Sequence, residues 1–323
     1  MTETVFEFLK RHSSLVITTH DNVDADGVGA VITFSEIVRS MGKKVRIVIS
    51  QSVPESFRFM DRDNIIECWE DVSESLGDGE GMVILDTADE YNIGKLKEYI
   101  PRAAEVMVID HHEPNKFNSL TGYIDPTVSS TCELLVGLAS EAGVTLSPAS
   151  AAAAYAGIVY DSGFFAYPKT TARTFRAALT LVEAGIRPYE IYRQLNENTP
   201  TSSIVLQKLV LSTLELHNHG RVAVQILRKE DLRTSGAPFE AAEHFINFPM
   251  RGRDILVSVL VKENKEGYVR CSLRSKGNVN VSKIAQELGG GGHATAAGFK
   301  SSLNLDDTLG VVLEKISEEL EKV

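Results

Sequence analysis

Cysteine is scarce in this chain of 323 residues: Cys68, Cys132 and Cys271 are odd in number, scattered, and never spaced as Cys-x-x-Cys. That excludes a disulfide framework and a zinc knuckle, and leaves all three as packing residues. No apolar run approaches the roughly 18 residues that a membrane span needs. The start, Met1-Thr-Glu-Thr-Val-Phe-Glu-Phe-Leu-Lys10, is acidic and amphipathic rather than signal-like. A cytoplasmic protein with no membrane partner is the expectation. Tryptophan occurs once, at Trp69, and reads as a packing residue. Internal repeats and low-complexity tails are absent. Positive charge is short as well, with a net charge of −11 at pH 7. Residues 201 to 323 carry 16 Lys and Arg against 15 Asp and Glu, leaving 17 against 29 for the rest, so the acidity belongs to the amino-terminal part. Such a balance excludes the broad basic stripe by which proteins track long nucleic acid. It suits small anionic substrates and bound divalent cations instead.

What the chain does have is a set of four apolar runs, each ending in a side chain that binds metals well. They are Ser14–His20, Gly81–Asp86, Val106–Asp110 followed by His111 and His112, and Ala156–Asp161. Continuous runs rich in Val and Ile read as strands buried on both faces, the mark of a parallel sheet covered by helices. In such sheets ligands bind beyond the carboxyl ends of the strands. Asp is common where any strand turns into a loop, so one such acid means little. Four coincident cases, with Asp24 and Asp26 just past the first run, point to convergent metal ligands. Six candidates, His20, Asp24, Asp26, Asp86, Asp161 and either His111 or His112, exceed the needs of one structural zinc and suit two adjacent cations.

Residues 1 to about 195 alternate strand-like and helical segments, which is an α/β pattern. Helices are expected at Gly27 to Met41, Ser129 to Ala142, Pro148 to Ala156 and Thr170 to Ala184, the last with Phe175, Leu179 and Val182 at helical spacing. Lys44 to Ser50 adds a strand. Residues 196 to 218 read as a polar linker and a bridging helix, Ile204 to Leu216. From 219 to 323 the pattern is β first, with strands at Arg221–Leu227, Asp254–Val261 and Tyr268–Arg274, and a turn at 263–267. A helix then carries Val281, Ile284, Ala285 and Leu288 and runs into Gly289-Gly-Gly-Gly-His293, and Leu305 to Val323 closes the chain as an amphipathic helix. A parallel-sheet domain and a smaller α/β domain with a mixed sheet, joined by a linker helix, make up the expected architecture.

The triplet Asp110-His111-His112 and its partner motifs resemble the DHH-family phosphoesterases over nearly the whole chain, in order and in spacing. The resemblance implies one metal on His20, Asp24 and Asp86, and a second on Asp26, Asp86, His111 and Asp161. Its catalytic pair would be His112, facing the substrate phosphate, and Asp110, orienting an imidazole. The glycine-rich carboxyl-terminal part, with Ser272-Leu-Arg274-Ser275-Lys-Gly277 and Gly289 to Gly298, resembles the DHH-associated domain. Arg274, Ser275, Gly290, Gly291, Gly292 and His293 are the substrate-binding residues so implied, with Arg274 on a terminal phosphate. A glycine run also exposes backbone N–H groups at low steric cost, and Arg adds charge-assisted bonds. Length and motifs resemble the family's short-oligoribonuclease group, the nanoRNases and 3′-phosphoadenosine-5′-phosphate phosphatases. The chain departs from the usual pattern at Asn22-Val-Asp-Ala-Asp-Gly27, where Asn-Pro-Asp-Gly-Asp-Ala is common, and at Ser162, where Thr is common. Every ligand position is still filled.

The implied chemistry is hydrolysis of short oligoribonucleotides to mononucleotides, and of 3′-phosphoadenosine-5′-phosphate to AMP, by a hydroxide bridging two cations. Mn²⁺ is the first choice for mixed carboxylate and imidazole ligands, and Co²⁺, Fe²⁺, Mg²⁺ or Zn²⁺ also fit. Short RNA or small phosphorylated nucleotides are the expected partners, with a homodimer as a further implication. Hydrolysis of cyclic or linear dinucleotides uses the same parts. A RecJ-like exonuclease on single-stranded DNA would need a basic surface that is not evident. An inorganic pyrophosphatase would lack Gly-Gly-Gly-His, and a non-catalytic nucleotide sensor would have lost ligands.

Overall fold

The computed structural model describes residues 2–113, 120, 122–264 and 268–322. It divides into two compact units, Met1–Asn198 and Thr199–Val323.

The first unit contains a six-stranded sheet in the order β3-β2-β1-β4-β5-β6, made of β1 (Ser14–Thr19), β2 (Lys44–Ile49), β3 (Ile66–Cys68), β4 (Gly81–Leu85), β5 (Glu105–Asp110) and β6 (Gly122–Ile124). Every neighbouring pair is parallel. Successive side chains along a strand point to opposite faces, and here both faces are apolar. Leu15, Ile17, Val83, Leu85 and Ile109 join one core, while Val16, Met82, Ile84 and Val108 join another with Trp69, Leu96 and Tyr99. Two-sided burial is what favours the parallel arrangement. β1 and β4 lie side by side at the centre, where the strand order reverses, so the crevice at their carboxyl ends is the expected ligand site.

The helices of this unit are α1 (Thr2–Arg11), α2 (Ala25–Ser40), α3 (Trp69–Val72), α4 (Thr131–Glu141), α5 (Pro148–Asp161), α6 (Ala172–Glu183) and α7 (Pro188–Asn196). α2 is buried almost throughout because α4 and α5 pack on it closely. A Cβ on Gly29 would lie 2.6 Å from the Ala153 carbonyl oxygen and 2.8 Å from Cys132 Sγ, a separation that only glycine permits. Cys132 and Cys271 are buried, whereas Cys68 is only half-buried, and all three are free thiols.

One expectation needs correction here. Ala156–Asp161 is not a strand but the last turns of α5. A short apolar run cannot be told from a buried helix by periodicity, and the Ala-rich lead-in continues as helix through Asp161. α6 forms as expected, yet Phe175, Leu179 and Val182 are its exposed side, while Thr174, Ala177, Ala178 and Leu181 are buried. Small residues let this helix approach its neighbours, so the smaller face is the one that packs.

The second unit is built on a mixed sheet in the order β11-β12-β10-β9-β8-β7, comprising β7 (Glu215–His217), β8 (Val222–Leu227), β9 (Val257–Glu263), β10 (Val269–Ser275), β11 (Gly291–His293) and β12 (Ala296–Ser301). Among the described residues, only β8 and β9 pair in parallel. The expected mixed-sheet α/β architecture is therefore present. The turn expected at 263–267 falls on residues 265–267, which lie outside the described residues. α10 (Val281–Glu287) and α11 (Leu305–Leu320) cover one face through Val281, Ile284, Val312 and Ile316. The helix expected to run to Leu216 stops at Ser212 as α8 (Thr201–Ser212), and β7 follows. The Thr213 hydroxyl accepts the Ile226 N–H at 2.8 Å and ends the helix against β8. Leu206 and Val210 of α8 pack with Leu227, Leu260 and α9 (Lys229–Ser235) on the other face, inside the second unit. No helix among the described residues is long and apolar enough to cross a membrane.

Candidate metal centre

β1 delivers Thr19 and then His20 to the carboxyl edge of the sheet, and the next turn leads into α2 with Asp24 as its N-cap. Asp24 Oδ1 accepts the N–H groups of Asp26 at 2.9 Å and Gly27 at 3.1 Å. This is ordinary capping, and it also aims the carboxylate at His20. Asp26 is fully buried in the first turn of α2, where its two oxygens accept the Thr131 N–H at 2.6 Å and the Cys132 N–H at 3.0 Å from the amino terminus of α4. The unpaired N–H groups of a helix start are suited to an anion.

Asp86 follows β4 with φ of 65°, a left-handed conformation unusual outside glycine, and is 3% exposed. The bend turns its two oxygens in different directions. Oδ2 is 3.4 Å from His20 Nε2, and Oδ1 is 3.5 Å from His111 Nε2 and accepts the Thr131 hydroxyl at 2.9 Å. At the end of β5, Asp110 Oδ1 accepts the N–H groups of His111 and His112 and lies 2.7 Å from His112 Nδ1. α5 ends on Asp161, whose Oδ2 stands 3.0 Å from His111 Nε2.

Two groups result. Ligand atoms of His20, Asp24 and Asp86 lie within 4.8 Å of one another, as do those of Asp26, His111 and Asp161, and Asp86 also falls within that distance of His111 and His112. The donors are hard oxygens with one imidazole in each group, a set suited to divalent first-row cations. Among the described residues, the buried His111 makes no well-aligned hydrogen bond through either ring nitrogen, although three carboxylates surround its Nε2. An imidazole aimed between acids rather than at one of them is what a shared cation would require. The residues fit the group.

The electrostatics agree. Burial, then Asp86 and Asp161, push Asp26 well above the usual carboxylate range, and burial with Asp86 and Asp24 raises Asp161 despite His111. Burial disfavours a charged His20, yet Asp24 and Asp86 drive it up to about 10. So much crowded negative charge calls for compensation from a cation. Asp110 holds His112 up at about 9, against burial and with help from Asp86 and Asp161. His112 is half-exposed, its side chain 58% accessible, and so faces outward from the cluster.

All six expected ligands are brought together, although Asp161 arrives on a helix. Sequence reasoning missed Thr131 and Cys132, whose backbone donors fix Asp26. The only signal was the Ser130-Thr131 helix start.

In the second unit, Arg274 lines a groove of about 670 Å³ with Gly290, Gly291 and Gly292, and its Nε donates to Asn247 Oδ1 at 3.3 Å. Ser275 lies elsewhere than expected. Ser275 is one residue along β10 from Arg274 and thus on the opposite face, with its hydroxyl donating to the Val279 carbonyl at 2.6 Å and accepting the Gly277 N–H. Ser272, two residues before Arg274, lines the groove instead. Gly290 gives its N–H to the Ala285 carbonyl at 2.7 Å, so that group is unavailable to a phosphate. Gly290 and Gly292 are needed because a Cβ would come within 2.2 Å of the Gly298 oxygen or 2.5 Å of the Ala296 oxygen. Gly291 and His293 lie on β11 beside β12, and His293 is exposed.

A reversing parallel sheet with carboxylates and imidazoles gathered at its central carboxyl edge defines a site able to hold divalent cations, the equipment of a metal-dependent hydrolase. The chain belongs to the DHH family: residues 14–158 match the DHH family, N-terminal domain, and residues 220–322 match the DHHA1 domain. A Thermus thermophilus protein named bifunctional oligoribonuclease and PAP phosphatase NrnA is 30% identical over 98% of this chain and 93% of its own length. A Bacillus subtilis protein of the same name is 27% identical over 89% of each chain. Among solved structures, an exopolyphosphatase-related protein from Bacteroides fragilis superposes with a TM-score of 0.89 at 24% identity, covering 99% of this chain and 95% of that one. An exonuclease RecJ bound to manganese superposes with a TM-score of 0.52 at 17% identity, covering 100% and 95%.

Proposed function

We propose that this chain hydrolyses short oligoribonucleotides to mononucleotides and 3′-phosphoadenosine-5′-phosphate to AMP, using two divalent cations. The observation that carries the reading is Asp86, whose two oxygens face the two ligand groups separately. Relatives similar over nearly their whole length are named for both activities.

His20, Asp24 and Asp86 would hold one cation, and Asp26, Asp86, His111 and Asp161 the other. When bound, the pair lowers the pKa of the attacking water and neutralises charge on the phosphoryl oxygens. Asp26 is kept in place by two backbone N–H groups, and Asp86 by Thr131. Asp110 is a positioning residue: it fixes the backbone of both histidines and ties down His112 Nδ1, leaving Nε2 to face substrate. Asp110 favours the charged form of His112, which can then donate to a phosphoryl or leaving oxygen. Mn²⁺ is the cation we infer, from the mixed ligands. A homodimer belongs to the same reading through the resemblance alone, and a cytoplasmic location is proposed with it.

Arg274, with the glycine run, supplies the grip on a substrate phosphate away from the reacting one. Arg274→Ala should lower kcat/KM on a short oligoribonucleotide about 10- to 100-fold, the worth of a charge-assisted hydrogen bond. A minimal aryl phosphate ester, lacking that second phosphate, should lose far less. Equal losses on both substrates would contradict this role.

A further inference from the structure

The turn at the start of α4 touches both ligand groups at once. The Thr131 N–H donates to Asp26 Oδ2 at 2.6 Å, and the Thr131 hydroxyl donates to Asp86 Oδ1 at 2.9 Å. The Cys132 N–H takes the other Asp26 oxygen at 3.0 Å. Thr131 therefore ties Asp26, which belongs to one group, to Asp86, which faces both. Where residues 129–131 stand decides how far apart those two carboxylates lie.

Glu133 holds that turn. It lies in the first turn of α4 and is 1% exposed. Its Oε2 accepts the Ser129 N–H at 3.1 Å, the Ser129 hydroxyl at 2.7 Å and the Thr174 hydroxyl at 2.8 Å. Ser130, the N-cap, accepts the Glu133 N–H at 3.0 Å in return. Ser130 and Glu133 have the spacing of a capping box, in which one bond from the glutamate to the backbone suffices. Here the carboxylate is buried and takes two hydroxyls besides, one of them from α6.

Among the described residues Oε1 makes no hydrogen bond, and it stands 3.6 Å from Arg173 Nε. Arg173 donates to Asp125 Oδ2 at 2.9 Å, and the Asp125 N–H donates to the Asp110 carbonyl at 3.0 Å. One support thus runs from the end of β5, which leads into His111 and His112, through Asp125 and Arg173 to Glu133 and the start of α4. Burying a carboxylate is costly, and an apolar side chain could fill the same space. What an apolar side chain could not do is fix Ser129 and Thr174 through charge-assisted hydrogen bonds.

We propose that Glu133 is a positioning residue for the metal pair. Acting through residues 129–131, it sets the separation of Asp26 and Asp86, and with it the affinity for the cation at Asp26, His111 and Asp161. The role rests on the two-cation reading above and adds to it a residue outside the ligand set.

The test reads metal rather than turnover. Mn²⁺ would be titrated calorimetrically into the metal-free full chain, and the electron paramagnetic resonance spectrum of the loaded protein recorded without substrate. The unaltered chain should bind a pair of Mn²⁺ and show the spectrum of exchange-coupled ions. Glu133→Ala should weaken one of the two about 10- to 100-fold, the usual effect of losing a group that orients a ligand. It should leave the other nearly unchanged and replace the coupled spectrum by that of isolated Mn²⁺. Glu133→Gln keeps an oxygen where Oε2 stands and should recover most of the affinity and the coupling. Leu138→Ala opens a cavity five residues further along the same helix. That control should lower the melting temperature and leave both affinities as they were. Should Glu133→Ala fail to fold, Thr174→Val removes a single donor at nearly constant shape and should weaken the same cation about 3- to 10-fold. Full retention of both Mn²⁺ in Glu133→Ala or in Thr174→Val, or an equal loss in Leu138→Ala, would overturn the role. A coupled pair indifferent to Glu133 would remove this role alone, whereas an unaltered chain without a coupled pair would remove the two-cation reading and the role with it.

Discussion

Asp86→Asn should abolish nearly all hydrolysis, lowering kcat/KM by at least about 10³-fold, while the protein keeps its fold. The substitution preserves side-chain shape, the hydrogen bond with Thr131 and the tolerance of Asn for positive φ at this position, where φ is 65°. What it removes is the charge that faces both ligand groups. Bound Mn²⁺, measured by mass spectrometry of dialysed protein, should fall from about two per chain to one or fewer. Without metal, the variant should unfold at the same or a higher temperature than the unaltered chain, because Asp26 and Asp161 lose a repulsive neighbour. Full metal content with full activity would remove Asp86 from the centre of the mechanism.

Gly157→Ala should be nearly as damaging, although Ala is favoured over Gly inside a helix by about 1 kcal/mol. Gly157 lies in α5 against α2 and α4. A Cβ there would lie 2.5 Å from Cys132 Sγ, 2.7 Å from Asp26 Oδ1 and 3.0 Å from Asp26 Cα. The carboxylate cannot retreat without breaking its bonds to the Thr131 and Cys132 N–H groups. Overpacking of this kind costs about 1–3 kcal/mol. It should lower the melting temperature by several degrees and weaken Mn²⁺ binding at the Asp26, His111 and Asp161 group. A variant more stable than the parent, with unchanged metal affinity, would show that the α2–α5 contact yields easily and that Asp26 is not held as described.

The legible part of this protein is the part governed by short-range patterns. β1, β4 and β5 are continuous Val- and Ile-rich runs, and the acids and imidazoles that follow them reach the carboxyl edge by strand direction alone. Asp161 stands beside Asp26 and His111 although its run is helical, because a helix pointing its carboxyl end at the same crevice delivers a side chain equally well. Ser275 went wrong for the converse reason: motif proximity ignored the two-residue period of β10, which puts neighbours on opposite faces. Least visible were features set by register between distant strands. Lys262 and Lys300 are 38 positions apart in the sequence, and only the β9–β10–β12 pairing aligns them on Arg270.

The most direct test of the whole account is product analysis. The protein and Mn²⁺ would be incubated with 5′-phosphorylated ribonucleotides of two to twenty-four residues, and separately with 3′-phosphoadenosine-5′-phosphate, and the products separated by chromatography. The account predicts mononucleotides from the shortest substrates, a steep fall in rate with length, and AMP from the bisphosphate. Cleavage of the longest substrates at rates equal to or above those of the shortest would contradict it, and would mean an open channel in which Arg274 does not mark the end of the substrate.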